Sequence, residues 1–221
     1  PEASNLQDEI TAGLVTLARA LDGKPACPSC EALFMDALFM TVTNVNFDPK
    51  RLQGLLAEAG VMLCRARAIY NDTCTAAGVA PEPLNGATCW SPAPSVADSV
   101  EAGIRVGLRE RFRSVDADVA SLEEILTYGL KGMAAYAHHA AVLGSESENF
   151  VAFMHEALAA LETRLGRADE LLALCLRCGA VNLEVMELLD AAHRRRFGSP
   201  EPTSVRVEPV AGKCILVSGH D

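Results

Sequence analysis

Basic residues are in deficit. The 221-residue chain sets 19 Lys+Arg against 29 Asp+Glu, a formal net charge of −10, which repels phosphate backbones and anionic lipid surfaces at long range. No nucleic acid is expected as a partner. Long apolar runs are missing too: none approaches the roughly 18 to 20 uninterrupted residues of a membrane span, and the N-terminus has no basic segment leading into an apolar one as an export signal does. No membrane contact is expected. Aromatic residues amount to only 5%, yet 50% hydrophobic and 22% charged residues suffice to bury a core, which excludes a disordered tail. The 8 cysteines are too sparse for a secreted disulfide scaffold, so a cytoplasmic, reducing location is expected. No Gly-rich phosphate loop, GxSxG elbow or pair of catalytic carboxylates can be picked out.

What the chain does have is helical periodicity. Residues 1–113 form a first helical bundle. Ser4 and Gln7 make a capping box, and Leu6, Ile10, Leu14, Leu17 and Leu21 then repeat at helical spacing up to Gly23. Leu33, Phe34, Leu38 and Phe39 predict a second helix ending near Thr43-Asn44. Asp48-Pro49 predicts the start of a third, running to about Ala68. Residues 71–97, with four prolines, Cys74, Cys89 and Trp90, read as a long ordered loop, followed by a helix over 98–113.

Residues 114–197 form a second, three-helix bundle. Ser121 with Glu124 and Ser145 with Glu148 look like capping boxes for two of its helices, and Gly144 separates them. The third starts near Ala168 and ends in His193-Arg194-Arg195-Arg196, cations placed where the helix dipole is negative. Residues 198–221 hold a proline-bearing linker and then Cys214-Ile215-Leu216-Val217, apolar without alternation as in a strand buried on both faces of a parallel sheet. Nothing earlier in the chain offers this strand a partner. A lone buried strand leaves backbone groups unpaired at a cost of roughly 1 to 3 kcal/mol each, so its neighbours are expected downstream of Asp221. The fold class is therefore mainly α: two helical bundles ending in one strand that would start an α/β, Rossmann-like domain.

Several motifs have a structural reading beside a chemical one. Cys27-Pro28-Ser29-Cys30 follows a helix and a proline turn, where a thioredoxin-like site follows a strand. Cys175-Leu176-Arg177-Cys178 lies within a helix on the stripe of Leu171, Leu174, Asn182, Val185 and Leu189, which favours buried free thiols over a zinc site. Neither pair is assigned a redox or metal role. His138 and His139 diverge by roughly 100° and cannot face one ion, leaving one packed and one solvated. His155-Glu156 begins like HExxH, but Ala159 stands where the second His belongs. Gly129 and Gly132 share a helix face and suggest close helix packing. His220 follows Ser218-Gly219 just past the apolar run, at the end of a parallel strand where α/β sheets collect ligands, and imidazole is a good iron ligand.

Leu122-Glu123-Glu124-Ile125-Leu126-Thr127-Tyr128-Gly129-Leu130-Lys131-Gly132-Met133-Ala134-Ala135-Tyr136-Ala137-His138-His139-Ala140, with Val142-Leu143-Gly144 after it, resembles the hybrid-cluster (prismane) protein family, the hydroxylamine reductases. So do Thr43-Asn44-Val45-Asn46-Phe47-Asp48, the run Val181 to Asp190, and the ending Gly212 to Asp221. The likeness covers nearly the whole chain and breaks mainly across 22–36 and 70–120. It implies the helical N-terminal portion of a longer enzyme, related in fold to nickel carbon monoxide dehydrogenases.

The resemblance further implies a hybrid iron-sulfur-oxygen cluster where three domains meet, with His220 as one of its iron ligands, and a second iron-sulfur cluster held by cysteines before the region that Pro1 to Asp8 matches. Neither cluster is complete in these 221 residues. The implied full-length activity is reduction of hydroxylamine to ammonia and water, fed by an unidentified electron donor. Nitric oxide reduction, peroxidase activity and protein S-nitrosylation are related activities that the sequence does not separate. The fragment itself is expected to be inactive and architectural, packing against the missing α/β domains, and no catalytic residue is assigned within it. The rival reading is a stand-alone helical interaction module whose contact surface is the loop 71–97 with Trp90.

Overall fold

In a computed structural model of the chain, residues 2–21, 23–25, 28–42, 46–81, 90–162, 168–209 and 211–215 are described. Eight helices occur among them: α1 (Glu2–Ala20), α2 (Pro28–Met40), α3 (Pro49–Ala76), α4 (Val96–Val106), α5 (Leu108–Ser114), α6 (Ala117–Val142), α7 (Glu148–Glu162) and α8 (Ala168–Phe197). The described residues hold no strand, and none of their helices is long and apolar enough to cross a membrane. The architecture is mainly α, in line with the fold class read from the sequence. Cys214 and Ile215 have no sheet pairing, while Leu216 and Val217 of the strand-like run, and His220, lie outside the described residues.

The helix α1 forms because Leu6, Ile10, Leu14 and Leu17 fall on one face, and all four are buried. Burying a leucine contributes roughly 1.5 to 3 kcal/mol, and this stripe packs α1 against α3, α4 and α7. Next, α2 lies along α6, and α6 lies along α8. One hydrophobic cluster runs from Leu6 of α1 through Phe34 of α2 and Leu130 of α6 to Phe153 of α7 and Val185 of α8, joining residues of both predicted bundles. Within α6–α8, Cys175 Sγ reaches the Leu122 carbonyl and Arg195 reaches Ser145 Oγ, so α6 and α8 run parallel, while the bonds of Asn149 to Glu184 and Arg177 to Glu156 set α7 antiparallel to α8.

Stops follow local chemistry. Gly23 and Gly144 adopt φ of 66° and 73° after α1 and α6, a region glycine enters without Cβ strain. Asp48 Oδ1 accepts from Lys50 N at 3.0 Å ahead of Pro49, as the sequence predicted.

The starts were less legible. Ser4 and Ser121 lie inside their helices, and the Ser121 hydroxyl donates to the Ala117 carbonyl at 2.7 Å. The cap of α6 is Asp116, whose side chain accepts from Asp118 N. At α7 the capping oxygen is Ser147 Oγ, which accepts from Phe150 N, while Ser145 Oγ takes a hydrogen bond from Arg195. The second helix begins at Pro28, ahead of its first apolar pair, and ends at Met40. The third continues to Ala76 instead of ending near Ala68, because no Gly or Pro stands between Ala68 and Gly78, whose φ is 68°. The segment predicted as one helix over 98–113 breaks at Gly107 into α4 and α5.

Residues 90–95 strap α1 to α3. A Cβ at Gly13 would stand 2.8 Å from the Trp90 ring, and one at Gly60 would stand 2.7 Å from Pro92. The Arg67 guanidinium donates to the Trp90 carbonyl at 3.0 Å. Trp90 is thus packed on α1, residues 71–76 of the loop predicted over 71–97 belong to α3, and residues 82–89 of that loop lie outside the described residues.

Candidate functional site

Each chemistry-bearing residue singled out from the sequence now has a place or lies outside the described residues. His220 and Cys27 belong to the second group. Cys30 is buried, with its Sγ 3.1 Å from Met62 Sδ. Cys178 is buried against α6, so close that a Cβ at Gly129 would meet its Sγ at 2.9 Å. Gly132, by contrast, has nothing within 4 Å of its Cβ position among the described residues and packs against none of them. Burial pushes the Cys178 thiol up to about 11, with Cys175 adding to the effect, and burial raises Cys175 as well.

Burial thus favours the neutral thiol at both positions over the thiolate, the form that attacks or ligates. Among the described residues no three His, Cys, Asp or Glu side chains converge to hold a metal ion. The one ligand the resemblance implies for the cluster, His220, lies outside the described residues.

Three polar contacts tie the helices together instead. The first is His155, fully buried on α7, whose Nε2 lies 2.5 Å from Glu31 Oε2 on α2 and whose ring centroid is 4.4 Å from that of Phe34. Its Nδ1 has no hydrogen-bond partner among the described residues. Glu31 also lines a cleft of about 590 Å³ walled by Pro28, Met35, Ala141, Phe150 and Leu188. The second is His138, half-buried, with Nδ1 2.7 Å from Asp36 Oδ1, while its neighbour His139 is exposed. That is the packed and solvated division expected from their angular separation.

The third contact is a partly buried charge cluster. Lys131 of α6 is 4% exposed, donates to the Thr41 carbonyl at 3.4 Å, and sits 5.3 Å from the centroid of the Tyr128 ring. Burial pulls its amine down to about 8, against the field of Asp8 on α1. Burial in turn raises Asp8, opposed by Arg111 and Lys131. Arg111 donates to Glu124 at 2.6 Å and to the Val106 carbonyl at 2.8 Å, anchoring α5 on α6.

Sequence reasoning missed the partners of both His155 and Lys131. The only local signal was a polar residue set among core positions, such as His155 between Met154 and Ala157. Chemically these groups join helices: none pairs a nucleophile with a base. Replacing Glu31 by alanine is expected to cost about 2 kcal/mol, because it strands a buried imidazole nitrogen. Denaturant unfolding measures it, and an unchanged midpoint would show that the contact contributes nothing.

Compared with known proteins, residues 1–221 match the Prismane/CO dehydrogenase family. A protein named hydroxylamine reductase from Rhodospirillum rubrum is 46% identical over 196 residues, covering 89% of this chain and 36% of that protein. One of the same name from Burkholderia lata is 45% identical over 84% of this chain and 33% of its own length. Another, from Syntrophobacter fumaroxidans, is 39% identical over 100% of the chain and 41% of its own length. The chain thus spans about a third to two fifths of these relatives.

Proposed function

This chain belongs to the Prismane/CO dehydrogenase family, and on that premise we propose that it is the helical portion of a hydroxylamine reductase. The observation that carries the reading is the 46% identity, over 89% of the chain, to a protein of that name. The reaction is reductive cleavage of the N–O bond: hydroxylamine takes up two electrons and two protons and leaves as ammonia and water, the electrons coming from an unidentified donor in the cytoplasm.

When bound, an iron-sulfur-oxygen cluster supplies the Lewis acid and the electrons. His220 is proposed as one of its iron ligands, since imidazole suits iron and the Gly212 to Asp221 run resembles the family's ligand-bearing segment. The remaining ligands come from outside the described residues. Within them, the helices hold the chain in shape: the Glu31 contact to His155 and the Asp36 contact to His138 lock α2 onto α7 and α6. The division into bundles 1–113 and 114–197, followed by 198–221 leading into an α/β domain, is part of the same proposal.

The test is made on the full-length protein, supplied with a reduced viologen dye. Hydroxylamine should be converted to equimolar ammonia with two dye molecules oxidised per turnover. His220→Ala should lower iron occupancy at limiting iron about tenfold to a hundredfold, as loss of a metal-site group does. No ammonia from an iron-loaded wild type sinks the activity. Full iron content and turnover in the His220 variant sinks the ligand role alone.

A further inference from the structure

The cleft between α2, α6, α7 and α8 encloses about 590 Å³, a size at which pockets hold small organic ligands. Its body is apolar: Met35 of α2, Ala137 and Ala141 of α6, Phe150 and Val151 of α7 and Leu188 of α8 line it. Among the described residues, every ionisable side chain on that lining is an acid. Glu31 stands in the wall with a side chain only 16% exposed, while Glu146 and Glu148 are exposed at the edge. Arg195 comes near, donating to the lining residue Ser145 at Oγ, but does not itself line the cleft.

Glu31 is held in place from behind. It and Phe34 lie one turn apart on α2 and grip the His155 ring of α7, the first through the Nε2 contact to Oε2 at 2.5 Å and the second at a centroid separation of 4.4 Å. With the carboxylate as acceptor, Nε2 carries the hydrogen, and Nδ1 is left buried with no partner among the described residues. Locking α2 onto α7 does not by itself need these groups. An apolar pair of similar volume often joins two helices as well or better, and an unsatisfied buried nitrogen works against the fold. What the imidazole adds is one fixed orientation for a carboxylate in the wall of an apolar cleft. A few fixed polar groups on an apolar lining are how a pocket selects its ligand, and in partly dehydrated surroundings this charge attracts a cation and repels an anion more strongly than it would in water.

We propose that this cleft binds a small molecule in which a protonated amine is joined to an apolar body. The ammonium group meets the Glu31 carboxylate, under the added field of Glu146 and Glu148, and the body lies against Met35, Phe150 and Leu188. Burial of the body supplies affinity, and the fixed carboxylate supplies the preference for a cation. Such binding goes beyond the reductase reading and does not depend on it.

Three probes that share an indole body and differ in charge test this: tryptamine, tryptophol and indole-3-acetate. Their binding to the full-length protein is measured by equilibrium dialysis at neutral pH. Tryptamine should bind with a Kd of about 10 µM to 1 mM, the range for a ligand of this size, and at least about tenfold more tightly than tryptophol, as a hydrogen bond to a charged group is worth. Indole-3-acetate should bind more weakly still. Glu31→Gln keeps an acceptor for the His155 Nε2 hydrogen and removes the charge, so tryptamine should fall to within about twofold of tryptophol, whose own affinity stays the same. Ala141→Leu fills the cleft and should abolish the binding of both. Equal affinity for the three probes, no saturable binding of tryptamine, or a preference for tryptamine that survives Glu31→Gln overturns the proposal. So does tryptamine binding that Ala141→Leu leaves intact, because it places the probe elsewhere. Should Glu31→Gln fail to fold, the wild-type ranking and the Ala141 variant still decide.

Discussion

Gly103→Ala is expected to destabilise the protein by about 3 kcal/mol or more, the upper range for forcing atoms into a packed interface. A Cβ at Gly103 would stand 1.8 Å from the Asn5 carbonyl oxygen, 2.5 Å from its carbon and 3.0 Å from its Cα. All three are backbone atoms of α1, so no side chain can swing aside. The helices would have to part, and with them the buried contact of Ser99 and Gly103 along α1. The next small residue on that line, Gly107, is close as well, with a Cβ position 3.2 Å from Asp8 Oδ2, so a shift of α4 also disturbs the charge cluster.

For a chain of this size the cost corresponds to a fall in Tm of roughly 6 to 12 °C. Gly54→Ala is the control: it lies in α3 with nothing within 4 Å of its Cβ position among the described residues, and alanine there should stabilise by up to about 1 kcal/mol through helix propensity. A Gly103 variant that melts with the wild type would mean that α1 and α4 do not approach so closely.

The legible part of this fold is what local periodicity encodes. Leu6, Ile10, Leu14 and Leu17 announce α1 because burial and spacing coincide there, and Gly23 and Gly144 mark real ends because their backbone needs positive φ. Capping was harder to read. A Ser followed three residues later by Glu or Gln recurs inside helices rich in such residues, and a hydroxyl such as that of Ser121 is equally satisfied by the carbonyl one turn back. The close approach at Gly103 left no mark, since glycine inside a helix has the same pattern whether or not another backbone lies against it.

The same limit governs the polar groups. His155 and Glu31 are 124 positions apart, and Lys131 and Thr41 are 90 apart, so their contacts are properties of packing and not of any local motif. His220 stands at the other extreme: its position in the sequence after an apolar run suggests a ligand, and the metal proposed for it comes only from the resemblance of its segment to a family.

Lys131→Met is the substitution expected to show the largest pH-dependent effect. Among the described residues, the buried Lys131 amine has one long hydrogen bond and a ring face for company. Burial pulls it from the ordinary 10.5 to about 8. The folded state therefore binds fewer protons than the unfolded state between those two values, and the stability of the wild type rises with pH across that window. Below about pH 8 both states are protonated and the whole penalty is present, roughly 3 kcal/mol for a gap of that width. Above about 10.5 it is gone.

Methionine keeps an unbranched stem in the same space and carries no charge, so the variant lacks this titration. Part of its gain at neutral pH is offset because Asp8, itself raised by burial, loses one of the two cations that lower it and keeps Arg111. The net expectation is a variant more stable than the wild type by about 1 to 3 kcal/mol at pH 7, with the advantage shrinking steadily as the pH is raised to 10. Denaturant unfolding of both proteins across pH 7 to 10 measures the difference, and the tyrosines, common to both, cancel from it. Parallel stability curves would show that Lys131 keeps its ordinary affinity for its proton and is hydrated where the structure has it enclosed.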